Sequence, residues 1–168
     1  MITFYCDTET VQLNTETINK VDLSGHKDFV EYRLKQSAEW VQKQYKKAEE
    51  EKQPQDLIVV NVLNTCSTPA REEPITAYNP VAFFNKITNI CKREFEKNAL
   101  IYFHNMKFDL TNIIDYLTFA KAKFTVKNSL IVGTKWYSYT IIYKGVWLKF
   151  IDSYNLTMMP LRDFGKAF

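Results

Sequence analysis

Cysteine is scarce and badly placed for cross-linking: Cys6, Cys66 and Cys91 are the only three in 168 residues. An odd number, widely spaced and without a Cys-x-x-Cys pair, argues against a disulfide framework or a zinc site and for reduced core or loop thiols. Long hydrophobic runs are missing as well. No stretch approaches the ~20 apolar residues needed to span a bilayer, and the N-terminus lacks the basic-then-apolar order of a secretory signal. The chain is therefore expected to be soluble and cytoplasmic, with no membrane partner. What is present is a core: 46% of residues are hydrophobic, and the length suits one domain over residues 1–168.

Charge of one sign is thin in the second half. Residues 101–168 hold nine Lys and Arg against four Asp, while the first hundred residues hold thirteen basic against fifteen acidic. Ordinary surface solvation accounts for such a bias, and so does a polyanionic substrate drawn to basic residues beside an acidic site.

The acidic candidates begin at the start of the chain. Ile2-Thr3-Phe4-Tyr5-Cys6 is β-branched and aromatic, so it reads as a strand leading into Asp7-Thr8-Glu9-Thr10. Alternation puts Asp7 and Glu9 on the same side of that strand. Two carboxylates so close repel unless a cation lies between them, and hard oxygen ligands suit Mg²⁺ or Mn²⁺.

The rest of the chain has the rhythm of an α/β domain. Val11 to Leu23 reads as a polar loop, and Val30, Leu34, Ala38, Val41 and Tyr45 mark a helix from about His26 to Lys52, with Trp40 off its stripe. Leu57 to Leu63 is a buried strand, Asn64 to Glu73 a polar loop, and Pro74 to Tyr78 a short strand. Asn79-Pro80 caps a helix whose apolar stripe is Phe84, Ile87, Cys91 and Phe95. Ala99 to Phe103 is another strand, followed by a helical run with Leu110, Ile113, Ile114, Leu117 and Ala120 inward. Three strands close the pattern, Ser129 to Val132, Trp136 to Tyr143 and Val146 to Asp152, with Lys144-Gly145 as the tight turn.

Asp7-Thr8-Glu9, Asn105-Met106-Lys107-Phe108-Asp109 and the late run Trp147 to Ser153 followed by Met159-Pro160-Leu161 together resemble the proofreading domain of family B DNA polymerases. The run Phe103-His104-Asn105-Met106-Lys107-Phe108-Asp109 is most similar to the protein-primed branch of bacteriophages and linear plasmids. The resemblance covers Ile2 to Thr10 and about Ala99 onward; residues 15–55 stand outside it as a helical insertion after the first strand. It implies a ribonuclease-H-like mixed sheet flanked by helices, and a 3′-5′ exonuclease acting on single-stranded DNA 3′ ends.

In that reading Asp7, Glu9 and Asp109 are the catalytic and metal-binding carboxylates, sharing Mg²⁺ or Mn²⁺ ions ~3.5 to 4 Å apart that activate a water and stabilise the leaving oxygen. The resemblance further implies substrate contacts from Thr10, His104, Asn105, Phe108 and Ser153; for His104 a structural hydrogen bond is an equal alternative. Partners would be the remainder of a polymerase chain and a terminal priming protein. One departure stands out. The family's third motif, Tyr-x-x-x-Asp, does not occur in this chain, nor do polymerisation motifs. Two other readings follow from that: a non-catalytic single-strand-binding module, or a different ribonuclease-H-like nuclease whose last carboxylate is Asp152 or Asp163.

Overall fold

The computed structural model describes residues 1–13, 27–32, 58–69 and 71–157. Seven strands form one sheet: β1 (Ile2–Leu13), β2 (Ile58–Ser67), β3 (Ile75–Ala77), β4 (Asn98–Phe103), β5 (Phe124–Val132), β6 (Lys135–Tyr143) and β7 (Val146–Asp152). Helical residues 27–32 (α1) precede α2 (Pro80–Arg93), α3 (Met106–Phe119) and the short α4 (Ser153–Thr157). The strand order is β3-β2-β1-β4-β7-β6-β5. β1, β4 and β7 are parallel, and every other pairing is antiparallel. An antiparallel meander on one side of β1 and parallel strands on the other make a ribonuclease-H-like α/β sheet, here widened by the β5–β6 hairpin.

The core lies on one face. Phe4, Ile101, Phe103, Ile141, Leu148 and Phe150 project from alternate sheet positions and meet Phe83, Phe84 and Ile87 of α2 and Leu110, Ile113 and Leu117 of α3. The alternation turns Tyr5, Tyr102 and Trp147 to the other face, where Tyr5 and Tyr102 stack with ring centroids 5.6 Å apart. Asn79 accepts the Ala82 N–H at 2.8 Å and proline occupies the first turn, so α2 starts where the sequence places it. Lys144 and Gly145 adopt φ 50° and 82°, joining β6 to β7 in a two-residue turn.

Several boundaries differ from expectation. β1 runs to Leu13, because β2 pairs with it from Tyr5 to Leu13, so Val11 to Leu13 belong to a strand. β2 likewise continues to Ser67 through residues that read as loop, held between β1 and β3. β5 begins at Phe124, since pairing with β6 reaches Phe124↔Tyr143. Phe95 leaves the apolar stripe altogether: α2 ends at Arg93, and Phe95 takes a left-handed φ of 55° with 95% of its surface exposed. Ala120 is the exposed cap of α3. Of the expected helix from His26 to Lys52, residues 27–32 are helical, with Phe29 buried against Tyr116 and Phe119. Trp40 and most of the 15–55 insertion lie outside the described residues. No helix among the described residues is long and apolar enough to cross a membrane.

Candidate nuclease site

The register collects the candidate residues at one end of the sheet. Cys6 pairs with Phe103, and Phe103 with Asp152, so the three parallel strands come level there. β4 stops at Phe103 while β1 continues, which leaves Asp7 as the first residue beyond its neighbour's end. Crevices outside the carboxyl ends of parallel strands are where open α/β sheets take ligands. Directly after β4 the chain turns through His104 and Asn105, whose φ of 65° is left-handed, and α3 brings Asp109 back against β1.

Asp109 meets β1 through Thr8, not through the flanking acids. Thr8 is buried, and its Oγ1 donates a hydrogen bond to Asp109 Oδ1. Asp7 and Glu9 emerge from the opposite, exposed side of the strand, and Asp7 Oδ1 accepts the Thr8 backbone N–H at 2.9 Å. Burial pushes the Asp109 carboxyl up from the ordinary 3.8 to about 6; the Thr8 hydrogen bond pulls it down, and the negative charges of Asp7 and Asp152 raise it further. The cysteines are free and buried, with Cys6 directly opposite Cys66. Burial raises the Cys6 thiol well above its usual range, and Cys66, Asp7 and Asp109 add to that.

Asp152 fastens the neighbouring corner. It is 1% exposed, and its Oδ1 accepts the backbone N–H groups of Asn105 at 3.2 Å and Tyr154 at 2.9 Å. Oδ2 accepts from Asn155 Nδ2 at 2.9 Å, and the same amide nitrogen donates to the Trp136 carbonyl at 2.8 Å. Ser153 Oγ donates to the Phe103 carbonyl at 3.1 Å and is hydrogen-bonded to His104 Nδ1 at 3.2 Å. The Tyr154 ring meets the His104 ring edge-on at 5.4 Å. Phe108 is 40% exposed and the Asn105 side chain stands free of the helix cap, so both present themselves to solvent. Thr10 follows an irregularity in the β1–β2 register.

The structure thus brings Thr8, Asp109, Asp152, His104, Asn105 and Ser153 to one end of the sheet, with Asp7 near enough to repel Asp109. Glu9 lies farther along β1. Among the described residues no three His, Cys, Asp or Glu side chains are grouped closely enough to hold an ion as they stand. The donor chemistry still suits a hard divalent ion: the oxygens are carboxylate, and Asp109, raised chiefly by burial, is raised further by the charge of Asp7, which a cation would neutralise. Thr8, Tyr154 and Asn155 are contributors that the sequence motifs pass over. Alternation between Asp7 and Glu9 already turns Thr8 inward, whereas the capping by Tyr154 and Asn155 depends on where α4 begins.

Fold and site together define a ribonuclease-H-like domain with acidic side chains gathered beside the carboxyl ends of β4 and β7. Residues 90–168 match the family described as DNA polymerase type B, organellar and viral, so this portion of the chain carries that family's signature. The match includes Asn105 to Asp109 and the Asp152-Ser153 corner and begins after Asp7 and Glu9. Comparison with curated proteins and with solved structures gives no match.

Proposed function

We propose that this chain is the 3′-5′ exonuclease, or proofreading, region of a protein-primed family B DNA polymerase, hydrolysing phosphodiesters at single-stranded DNA 3′ ends. The observation that carries the reading is the meeting of Thr8, Asp109 and the Asn105–Asp152 corner at the carboxyl ends of β4 and β7, with Asp7 beside them on β1, within a chain whose residues 90–168 match the polymerase family. In this reading Asp7, Glu9 and Asp109 would hold Mg²⁺ or Mn²⁺, which requires their side chains to draw closer together than they stand. When bound, such ions supply a nucleophilic water and charge stabilisation for in-line displacement.

The chain's own groups do the positioning. The exposed Phe108 ring offers a face for a terminal base or sugar, and the Asn105 amide lies beside it at the start of α3. Asp152 orients Asn105 from beneath, while His104 and Ser153 brace the loop. Thr10 is the remaining contact on the β1 side. Its partners in this reading are the remainder of a polymerase chain and a terminal priming protein, in the cytoplasm of a host cell.

A second reading, a non-catalytic single-strand-binding module, draws on the way Asp109 and Asp152 direct oxygens to Thr8, Asn105, Tyr154 and Asn155. One assay separates the two. A 3′-labelled oligonucleotide is incubated with Mn²⁺ and the 168-residue chain, the chain joined to a segment carrying Tyr-x-x-x-Asp, and Asp7→Ala in the joined form. Slow trimming by the first, rapid trimming by the second and none by the third is the expected order. Binding without trimming in all three sinks the exonuclease reading in favour of the module, and trimming that survives Asp7→Ala sinks the site assignment.

A further inference from the structure

At the outer edge of the sheet, on the far side of β2 from the carboxylates, a groove of about 740 Å³ separates the approach to β3 from the second half of α2. Among the described residues, Arg71, Lys86, Lys92 and Arg93 line it against a single acid, Glu73. Helical spacing explains the wall formed by α2: Lys86, Asn89 and Arg93 recur at steps of three and four on its exposed face, while Phe83, Phe84, Ile87 and Cys91 face the core. Lys86 Nζ donates to the Thr76 carbonyl at 2.7 Å, which ties the upper end of the groove to β3. Thr76 pairs with Thr65, and Thr65 with Asp7, so that end is level with the candidate site, two strands away.

None of these four cations forms an ion pair with a described residue. Among the described residues the one ion pair joins the amino terminus to Glu96, outside the groove. Four positive groups in one open channel repel one another and favour a ligand that carries regularly spaced negative charge. Arg71 and Arg93 add planar guanidinium forks, which suit phosphate oxygens. Lys92 and Arg93 also fall within the segment that matches the DNA polymerase family.

We infer that this groove holds the phosphodiester backbone of a nucleic-acid strand, as a binding site separate from the carboxylates. The inference stands on the cations and the groove, and it requires no cleavage. The strand enters along α2 and reaches the level of Asp7 at Lys86, so the groove acts as a track beside the sheet, and the affinity it supplies is electrostatic and salt-sensitive.

The test is fluorescence anisotropy of a labelled oligothymidylate with the whole chain and with the triple variant Arg71→Ala, Lys92→Ala, Arg93→Ala, between about 50 and 200 mM salt. Each lost phosphate contact removes about 0.7 from the slope of log affinity against log salt for a single strand. The triple variant is therefore expected to flatten the slope by about 2 and to bind at least roughly tenfold more weakly at the lower salt. All three side chains are exposed, so the circular-dichroism melt should not move; if it does, Lys92→Gln alone should flatten the slope by about 0.7. An unchanged slope overturns the inference. So does polyglutamate that displaces the oligothymidylate as well as unlabelled DNA of equal charge, which would assign the groove to an acidic polypeptide. Asp7→Ala should keep the full slope while losing 3′ trimming, so failure of the track and failure of the exonuclease reading give different results.

Discussion

Asp109 is a buried carboxylate whose charge the fold tolerates poorly, and replacing it with asparagine should stabilise the protein at neutral pH. The folded carboxyl titrates at about 6, against an ordinary 3.8, chiefly because it is buried. Between those values the folded state binds more protons than the unfolded chain, so stability falls as pH rises through the window and the loss is complete above it. A difference of this size corresponds to roughly 3 kcal/mol. Asp109→Asn keeps an oxygen for the Thr8 hydroxyl and removes the charge that Asp7 and Asp152 repel. Urea unfolding at a series of pH values reads the effect: the parent chain should weaken from about pH 4 to about pH 7, and the variant should lack that fall. Near pH 8 the variant should be more stable by roughly 1 to 3 kcal/mol, a midpoint gain of about 1 M urea. A variant that follows the parent's pH curve, or is less stable at pH 8, would refute the assignment of strain to this carboxylate. Under the exonuclease reading, Mn²⁺ should stabilise the parent and leave Asp109→Asn nearly unmoved, since a bound ion supports only the charged form.

Two further substitutions test how the site is held. Asp152→Ala strands the N–H groups of Asn105 and Tyr154 and one N–H of the Asn155 amide, and should cost at least about 2 kcal/mol, whereas Asp152→Asn should cost less because one oxygen remains to accept both backbone bonds; equal losses in urea unfolding would show that the charge, and not the acceptor, matters. Asn79→Ala removes the α2 cap at Ala82 and should lower stability by about 1 kcal/mol without altering oligonucleotide binding, measured on the same preparations; a binding loss without a stability loss would contradict that role.

Local signals carried much of the fold. The cap at Asn79-Pro80, the Lys144-Gly145 turn and the stripe of Phe84, Ile87 and Cys91 each follow from interactions within a few residues, and each is present. Strand ends were poorly legible for the opposite reason. Val11 to Leu13 and Asn64 to Ser67 are strand because each pairs with residues some fifty positions away in sequence, and polar composition does not prevent pairing once a partner is in register. Phe95 failed as a core residue because the helix stops two residues short of it, and its left-handed backbone takes it out of the helical path.

For the candidate site, the motifs Asp7-Thr8-Glu9 and Asn105 to Asp109 were visible in the sequence, as was the alternation that puts both β1 acids on one side. Sequence by itself determined which chemical groups this protein can offer: three carboxylates, an amide and an aromatic ring, with their spacing along each element. Only the tertiary structure decided that Thr8 is the residue facing Asp109, and that Asp152 braces Asn105. Burial and charge act between elements a hundred residues apart, so the raised Asp109 carboxyl and the open basic groove beside β3 exist only once α2, α3 and the sheet have packed.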